Sequence, residues 1–308
     1  MTTAHTSKTR SSFTLRFAIA LVAGLAAAVV LSPFAAAAVA AMGLRFPFPR
    51  IFDRTVMVTL LAAMLIGSRS MGFGVLMRKG YAKPYANLQR AISGLAISLS
   101  AIALLFGLAY ASGAGAPVSI GALLSRAIKF ALPALAIGVI EEGFFRAFLL
   151  GGMRRDFGPR VALVASSAVY SIAHLVRSPA HYYLTGFHPG AGLYNLAASA
   201  AQLGHPIVAA PTLIGLFLLG MVLGDAFMAT GTVWFSIGLH AGFVLGAKTW
   251  PLIAHSGAPI SRWLAGPGPV PLIAAPAAWA IALLLLIVLP RLLQRDGSER
   301  PNQDRFAG

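Results

Sequence analysis

Long apolar runs separated by short polar and basic stretches set the pattern of this chain. Most of them approach the roughly 20 residues that a helix needs to cross a bilayer. They predict eight spans: an alanine-rich segment ending near Met42 and interrupted by Pro33, then 55–76, 91–111, 127–150, 161–176, 212–229, 233–250 and 272–289. The second is diluted by Gly67, Arg69, Gly72 and Gly74 and is expected to break near Arg69, whose guanidinium can reach the interface. The first reads as a retained span rather than a signal peptide, because its apolar run exceeds the roughly 7–15 residues of a signal h-region. The predicted fold class is all-α, a polytopic transmembrane helix bundle of about eight spans. It divides into 1–120, N-terminal spans and tail; 121–250, a helical core with a long connection at 177–210; and 251–308, a last span and polar tail.

Composition agrees: 58% of the residues are hydrophobic and 10% charged, too apolar for a soluble domain. The net charge of +16 would suggest nucleic acid if it formed one solvated face, but the basic residues lie in clusters between spans, so no nucleic-acid partner is expected. They set topology instead. With the amino terminus inside, fifteen lysines and arginines fall on inner segments and eight on outer ones, with Arg146 left within a span. Both termini are therefore expected to be cytoplasmic, in a cell membrane. The tail after Arg295 is expected to lack structure. In the connection 177–210, a short interfacial helix is expected over 194–203, and tyrosines 182, 183 and 194 suit a membrane-interface belt. Histidines 181, 188 and 205 there match no standard metal-ligand spacing.

The chain has no cysteine, which excludes disulfides and thiol chemistry. Its eight acidic residues include three inside apolar segments, Glu141, Glu142 and Asp225, and of seven histidines only His174 and His240 lie clearly inside such segments. Ionisable groups at that depth are costly and usually face a protein-lined interior. Glu142 and Arg146, at i and i+4, can pair on one helix face, whereas Glu141 points about 100° away. One carboxylate can thus support while its neighbour acts. At 1.5 Å per residue from inner helix ends at Arg154, Arg160 and Gly231, Glu141, His174 and His240 lie about 20, 21 and 14 Å deep, so they can share a level. Asp225 sits nearer the inner face and is expected to cap or pair locally. Gly238 and Gly242 flank His240 and permit close approach of another helix or a substrate backbone.

These residues resemble the CPBP family of intramembrane proteases, the CAAX prenyl endopeptidase and bacteriocin-processing (Abi) group. Its EExxxR motif is present as Glu141, Glu142 and Arg146. Its FxxxH motif is present as Tyr170 to His174, with Tyr in place of Phe. Of its HxxxN or HxxxD motif the chain has His240, but Val244 stands where Asn or Asp belongs. The stretch from Gly220 to His240, with Thr230-Gly231, is also similar. The resemblance covers roughly residues 127 to 250. It implies a hydrolase acting on a peptide bond of a membrane-associated or lipidated protein or peptide. Glu141 would be the general base on a water, His174 its assistant, and His240 the oxyanion donor. Glu142 and Arg146 would support them. The family has been described as metalloproteases; the cofactor is either none or a divalent metal such as zinc, which would take Glu141, His174 and His240 as ligands. Partners are the lipid bilayer and a protein or peptide substrate: prenylated tails, bacteriocin leaders or membrane proteins.

Other readings fit less well. There is no HExxH zinc motif, no GxSG serine motif, and only one membrane aspartate where an aspartyl protease needs two. A transporter should show internal repeats with matching broken helices, and none is apparent. A catalytically impaired scaffold or chaperone built on the same bundle draws its support from Val244.

Overall fold

Residues 12–113, 115, 117–176, 178, 182–253, 263–264 and 272–295 are described by the structure, a computed structural model. The expected tail after Arg295 and His181 lie outside these residues. The described residues are overwhelmingly α-helical, as the apolar runs require. Two compact units emerge, and both draw on discontinuous stretches of chain.

The first unit contains α1 (Phe13–Ala41), α2 (Phe48–Met71), the helical segment 152–158 and α7 (Ala191–Ala200). Pro33 is accommodated within α1, which runs unbroken through it. Helix α2 stops at Gly72, whose left-handed φ of 69° suits a residue without a Cβ, three residues beyond the expected break. Phe48, Phe52 and Ala191 pack with Val29, Ala36, Val56, Tyr182 and Leu196. Gly24 lies against Leu60, and a Cβ on Gly192 would overlap the carbonyl of Val29, so α1 is held closely on two sides. The amino-terminal turn of α1 is capped by Asp156. Its carboxylate accepts from Phe13 N at 3.3 Å, Thr14 N at 2.7 Å and Thr14 Oγ1 at 2.6 Å.

A helix is found in this connection, shifted from the expected 194–203 to Ala191–Ala200 and continued by a 3-10 turn to Gly204. It is anchored through fully buried Asn195, which accepts from Tyr182 Oη at 3.1 Å and donates to Ser178 Oγ at 3.1 Å. His188 Nε2 bonds the Thr185 carbonyl at 2.9 Å, and His205 is exposed.

The second unit contains most of α3 (Phe73–Gly80), then α4 (Leu88–Ala111), α5 (Ile120–Glu142), a π-helical stretch at Gly143–Leu150, and most of α6 (Gly151–Leu175). It closes with α8 (Pro206–Thr230), α9 (Trp234–Thr249) and α10 (Pro276–Arg295). Helix α9 is its centre, packed along α4 on one side and α5 on another. Glycines explain the intimacy. A Cβ on Gly238 would overlap the carbonyl of Ala91, one on Gly94 that of Phe235, and one on Gly242 the hydroxyl of Ser98. Of the two partners the sequence left open for this glycine face, the occupant is α4. Gly138 brings α5 close to the Ile237 carbonyl. With backbones this near, His240 on α9 is fixed in depth and rotation relative to α5.

The span count differs from eight. Six helical stretches among the described residues are long and apolar enough to cross a membrane: Phe13–Ala41, Phe48–Met71, Tyr85–Ala111, Ile120–Leu175, Ala209–Thr230 and Pro276–Leu293. The 56-residue stretch takes in two expected spans, because helical hydrogen bonding continues around a break at Gly158, where φ is 73° and ψ 173°. Helix α9, with 16 residues, is only about 24 Å long and falls short of a full crossing.

Candidate functional site

Three helices of the second unit deliver the side chains. The end of α5 supplies Glu141 and Glu142, and the π-helical stretch after it supplies Arg146. Helix α6 supplies Tyr170 and His174, and α9 supplies His240. A π-helical insertion widens a helix locally and is frequent at functional sites. Here it begins at Gly143, where a Cβ would collide with the Tyr81 hydroxyl. That hydroxyl donates to the carbonyl of Val139, tying α5 to the residue following α3 just before the motif.

Glu142 is completely buried and Arg146 is 2% exposed. Arg146 Nε lies 3.3 Å from Glu142 Oε2, the i, i+4 pair that the spacing predicts. A buried pair holds only when its remaining polar atoms find partners. Glu142 Oε1 meets His240 Nδ1 at 2.8 Å and Arg146 Nη2 donates to the Gly220 carbonyl at 3.3 Å, while Arg146 Nη1 has no hydrogen-bond partner among the described residues. The guanidinium also lies over the ring of Tyr170, 4.7 Å from its centroid. Glu142 therefore does more than neutralise Arg146: it holds the second histidine, a contact that spacing within one helix could not reveal. The Gly220 carbonyl is a further member that sequence reasoning missed, because a backbone acceptor leaves no residue-type signal.

Glu141 is turned away from this buried pair, as its position one residue earlier dictates. Its Oε2 lies 3.5 Å from His174 Nε2 and 3.9 Å from His240 Nε2. The side chains of Glu141 and His174 are each 27% exposed, whereas that of His240 is 3% exposed. His174 Nδ1 donates to the Tyr170 carbonyl at 2.8 Å. A carbonyl only accepts, so this bond places the proton on Nδ1 and turns Nε2 toward Glu141. The structure thus brings Glu141, Glu142, Arg146, His174 and His240 into one cluster. Asp225 is half-buried, and among the described residues it has no hydrogen-bond or ion-pair partner; the local pairing expected for it is not observed. Val244, one turn after His240 on α9, brings no polar group.

Residues 122–246 match the family described as Rce1-like, type II CAAX prenyl endopeptidase, a span that includes every residue of the cluster. The match supports a core of the CPBP family of intramembrane proteases over these residues. No curated protein and no solved structure gives a significant match. The CPBP core and the long apolar helices together make the chain an integral membrane protein. The family's description as metalloproteases raises the question of a bound ion. Among the described residues no group of three His, Asp or Glu side chains is arranged to hold one. No step below is routed through a metal.

Proposed function

We propose that this CPBP protein is an intramembrane endopeptidase in which Glu141 activates a water against a substrate peptide carbonyl. The observation that carries the reading is the placement of Glu141 Oε2 between two imidazole Nε2 atoms, at 3.5 and 3.9 Å, in the more exposed part of an otherwise sealed cluster. Each imidazole is anchored through its other nitrogen, one by a backbone carbonyl and one by a buried carboxylate. Such anchoring fixes ring orientation, so the reacting nitrogens need not reorganise during the reaction.

A water bound at Glu141 gives its proton to the carboxylate while its oxygen attacks the carbonyl carbon, with His174 orienting it through Nε2. The resulting oxyanion is met by His240 when that ring carries a proton on both nitrogens. Collapse of the intermediate breaks the C–N bond, and the proton taken up by Glu141 passes to the leaving amine. General acid–base catalysis of this kind contributes about 10²- to 10⁴-fold. Glu142 and Arg146 act through His240 and are positioning residues. Separations somewhat beyond hydrogen-bond length are ordinary before substrate binds.

The substrate class that fits is a protein or peptide segment at or within the bilayer. Prenylated CAAX tails, bacteriocin leaders and membrane proteins all satisfy this geometry. The basic clusters support a cell-membrane protein with both termini cytoplasmic. Val244 favours a second reading, a catalytically impaired scaffold or chaperone on the same core.

One experiment separates these readings. Purified protein in detergent is assayed on a panel of reporter peptides, lipidated and not, with and without a chelator. Wild-type protein is expected to cleave, and Glu141→Gln to lose at least about 100-fold in rate while keeping its folded yield and thermal midpoint. Undiminished cleavage by the variant would remove Glu141 from its role. Absence of cleavage by well-folded wild type across the panel supports the scaffold. Loss of cleavage on chelation, restored by zinc, supports metal dependence.

A further inference from the structure

We propose that the hydroxyl of Tyr170 is a catalytic hydrogen-bond donor of this site, directed at the substrate carbonyl oxygen as charge develops on it. The inference rests on the peptidase reading above and adds to it a donor that does not depend on the protonation of His240.

The need for such a donor follows from the imidazoles. His174 carries its proton on Nδ1, where it meets the Tyr170 carbonyl, and His240 directs Nδ1 to Glu142. An imidazole with a single proton on Nδ1 presents a lone pair at Nε2. Both Nε2 atoms face Glu141 Oε2. In that state the two histidines can take up a proton but cannot donate one to an oxyanion, and Val244 on the following turn of α9 has nothing to offer. A phenol, by contrast, keeps its proton at neutral pH and donates whatever the charge of its neighbours.

Tyr170 has the position and the rigidity for the task. Its ring centroid is 4.3 Å from that of His174, 6.4 Å from that of His240, and 4.9 Å from that of Phe145, which meets it edge-on. The Arg146 guanidinium covers its face, and only 2% of the residue is exposed. Four neighbours thus fix the ring, and a cation against its face polarises the O–H bond toward donation. The hydroxyl makes no hydrogen bond to a described protein atom and is not one of the fully sealed unpaired polar atoms, so it can donate to a group entering the site. The ring packs against His174, whose Nε2 lies 3.5 Å from Glu141 Oε2. Tyr170 therefore stands one imidazole away from the carboxylate that holds the attacking water, within the same cluster that the carbonyl oxygen must enter.

Tyr170→Phe removes the hydroxyl and keeps every ring contact. With a reporter peptide cleaved by the purified protein, kcat is expected to fall about 100-fold, the usual loss of one oxyanion donor. KM should stay within about twofold, since the interaction is made only in the transition state. The thermal midpoint should not move. A hydroxyl that merely supported packing would lower the midpoint and leave kcat alone, and that outcome overturns the inference, as does kcat retained within about threefold. In parallel, a phosphinate analogue of the same peptide should bind Tyr170→Phe weakly and wild type tightly, while the uncleaved peptide binds both alike. Equal phosphinate affinity overturns the inference independently of turnover. Glu141→Gln is run alongside: Glu141-dependent cleavage that persists in Tyr170→Phe sinks only the Tyr170 role. No Glu141-dependent cleavage by wild type sinks the peptidase reading, and this inference with it.

Discussion

Removing the Arg146 guanidinium would leave Glu142 facing His240 with its buried negative charge uncompensated. Breaking a buried pair by deleting one partner costs about 3–5 kcal/mol, a large fraction of a typical domain's stability. Arg146→Ala is therefore expected to lower folded yield and thermal midpoint as well as activity, checked by thermal denaturation in detergent beside the cleavage assay. A variant as stable and active as wild type would show that the pair is dispensable. At Val244 the expectation is different. Val244→Asn on the wild-type background should change kcat by less than about threefold, because one donor already serves the oxyanion. On the Tyr170→Phe background the same change should recover at least about tenfold of the lost rate, since an amide one turn after His240 faces the same side of α9. The division between Glu141 and Glu142 was legible in the sequence because 100° of helical rotation per residue is enough to separate neighbours. The grip of Glu142 on His240 was not, because it joins residues 98 positions apart, and pairing across helices depends on rotations that one helix's pattern does not fix.

At the scale of elements, what the chain's pattern announced best was the helices, and what it announced least well was how they end. Runs of apolar residues gave all eight segments their helical character, yet the backbone at Gly158 leaves two of them in one hydrogen-bonded stretch, and α9 is shorter than a crossing. The π-helical stretch at Gly143–Leu150 had no forecast, because one extra residue per turn leaves the apolar character of the segment unchanged. Gly238 and Gly242 were readable as sites of close approach, while the identity of the approaching helix required the packing of α4. The cap on α1 carries a testable pH dependence. Burial tends to raise the Asp156 carboxyl, but hydrogen bonds from Thr14 and Phe13 outweigh it and hold the group below its ordinary value. A carboxyl lowered on folding adds stability that is present above its unfolded value, about 3.9, and lost as pH falls through the lower folded one. Asp156→Asn should thus lower stability at pH 7 by on the order of 1 kcal/mol, read as a lower thermal midpoint, and the gap to wild type should narrow on acidification. A gap of equal size at about pH 3 would mean that the bonds do not need the charge.

For the whole molecule, the charge pattern and the α1 cap point the same way. Asp156 lies between Arg154, Arg155 and Arg160 in a segment expected to face the cytoplasm, and it bonds the first turn of α1. The two ends of that contact must share a membrane face. The absence of native cysteine makes this simple to examine with single-cysteine variants in intact cells. Thr6→Cys, Phe157→Cys and Gln303→Cys should resist an impermeant maleimide until the membrane is opened, whereas Pro117→Cys should react at once. Reaction of Thr6→Cys and Phe157→Cys from opposite sides would contradict the cap itself.

The uneven exposure of the cluster divides its histidines into two chemical classes. His240 is buried against Glu142 on α5 and Tyr170 on α6, while His174 and Glu141 stand at the boundary of the protein interior. A small acylating reagent added from solution would therefore meet His174 first, and a diffusible carbodiimide would meet Glu141 long before Glu142. The half of the site to which we assign the reaction is thus also the half open to an inhibitor, and the half that gives it shape is sealed within the fold.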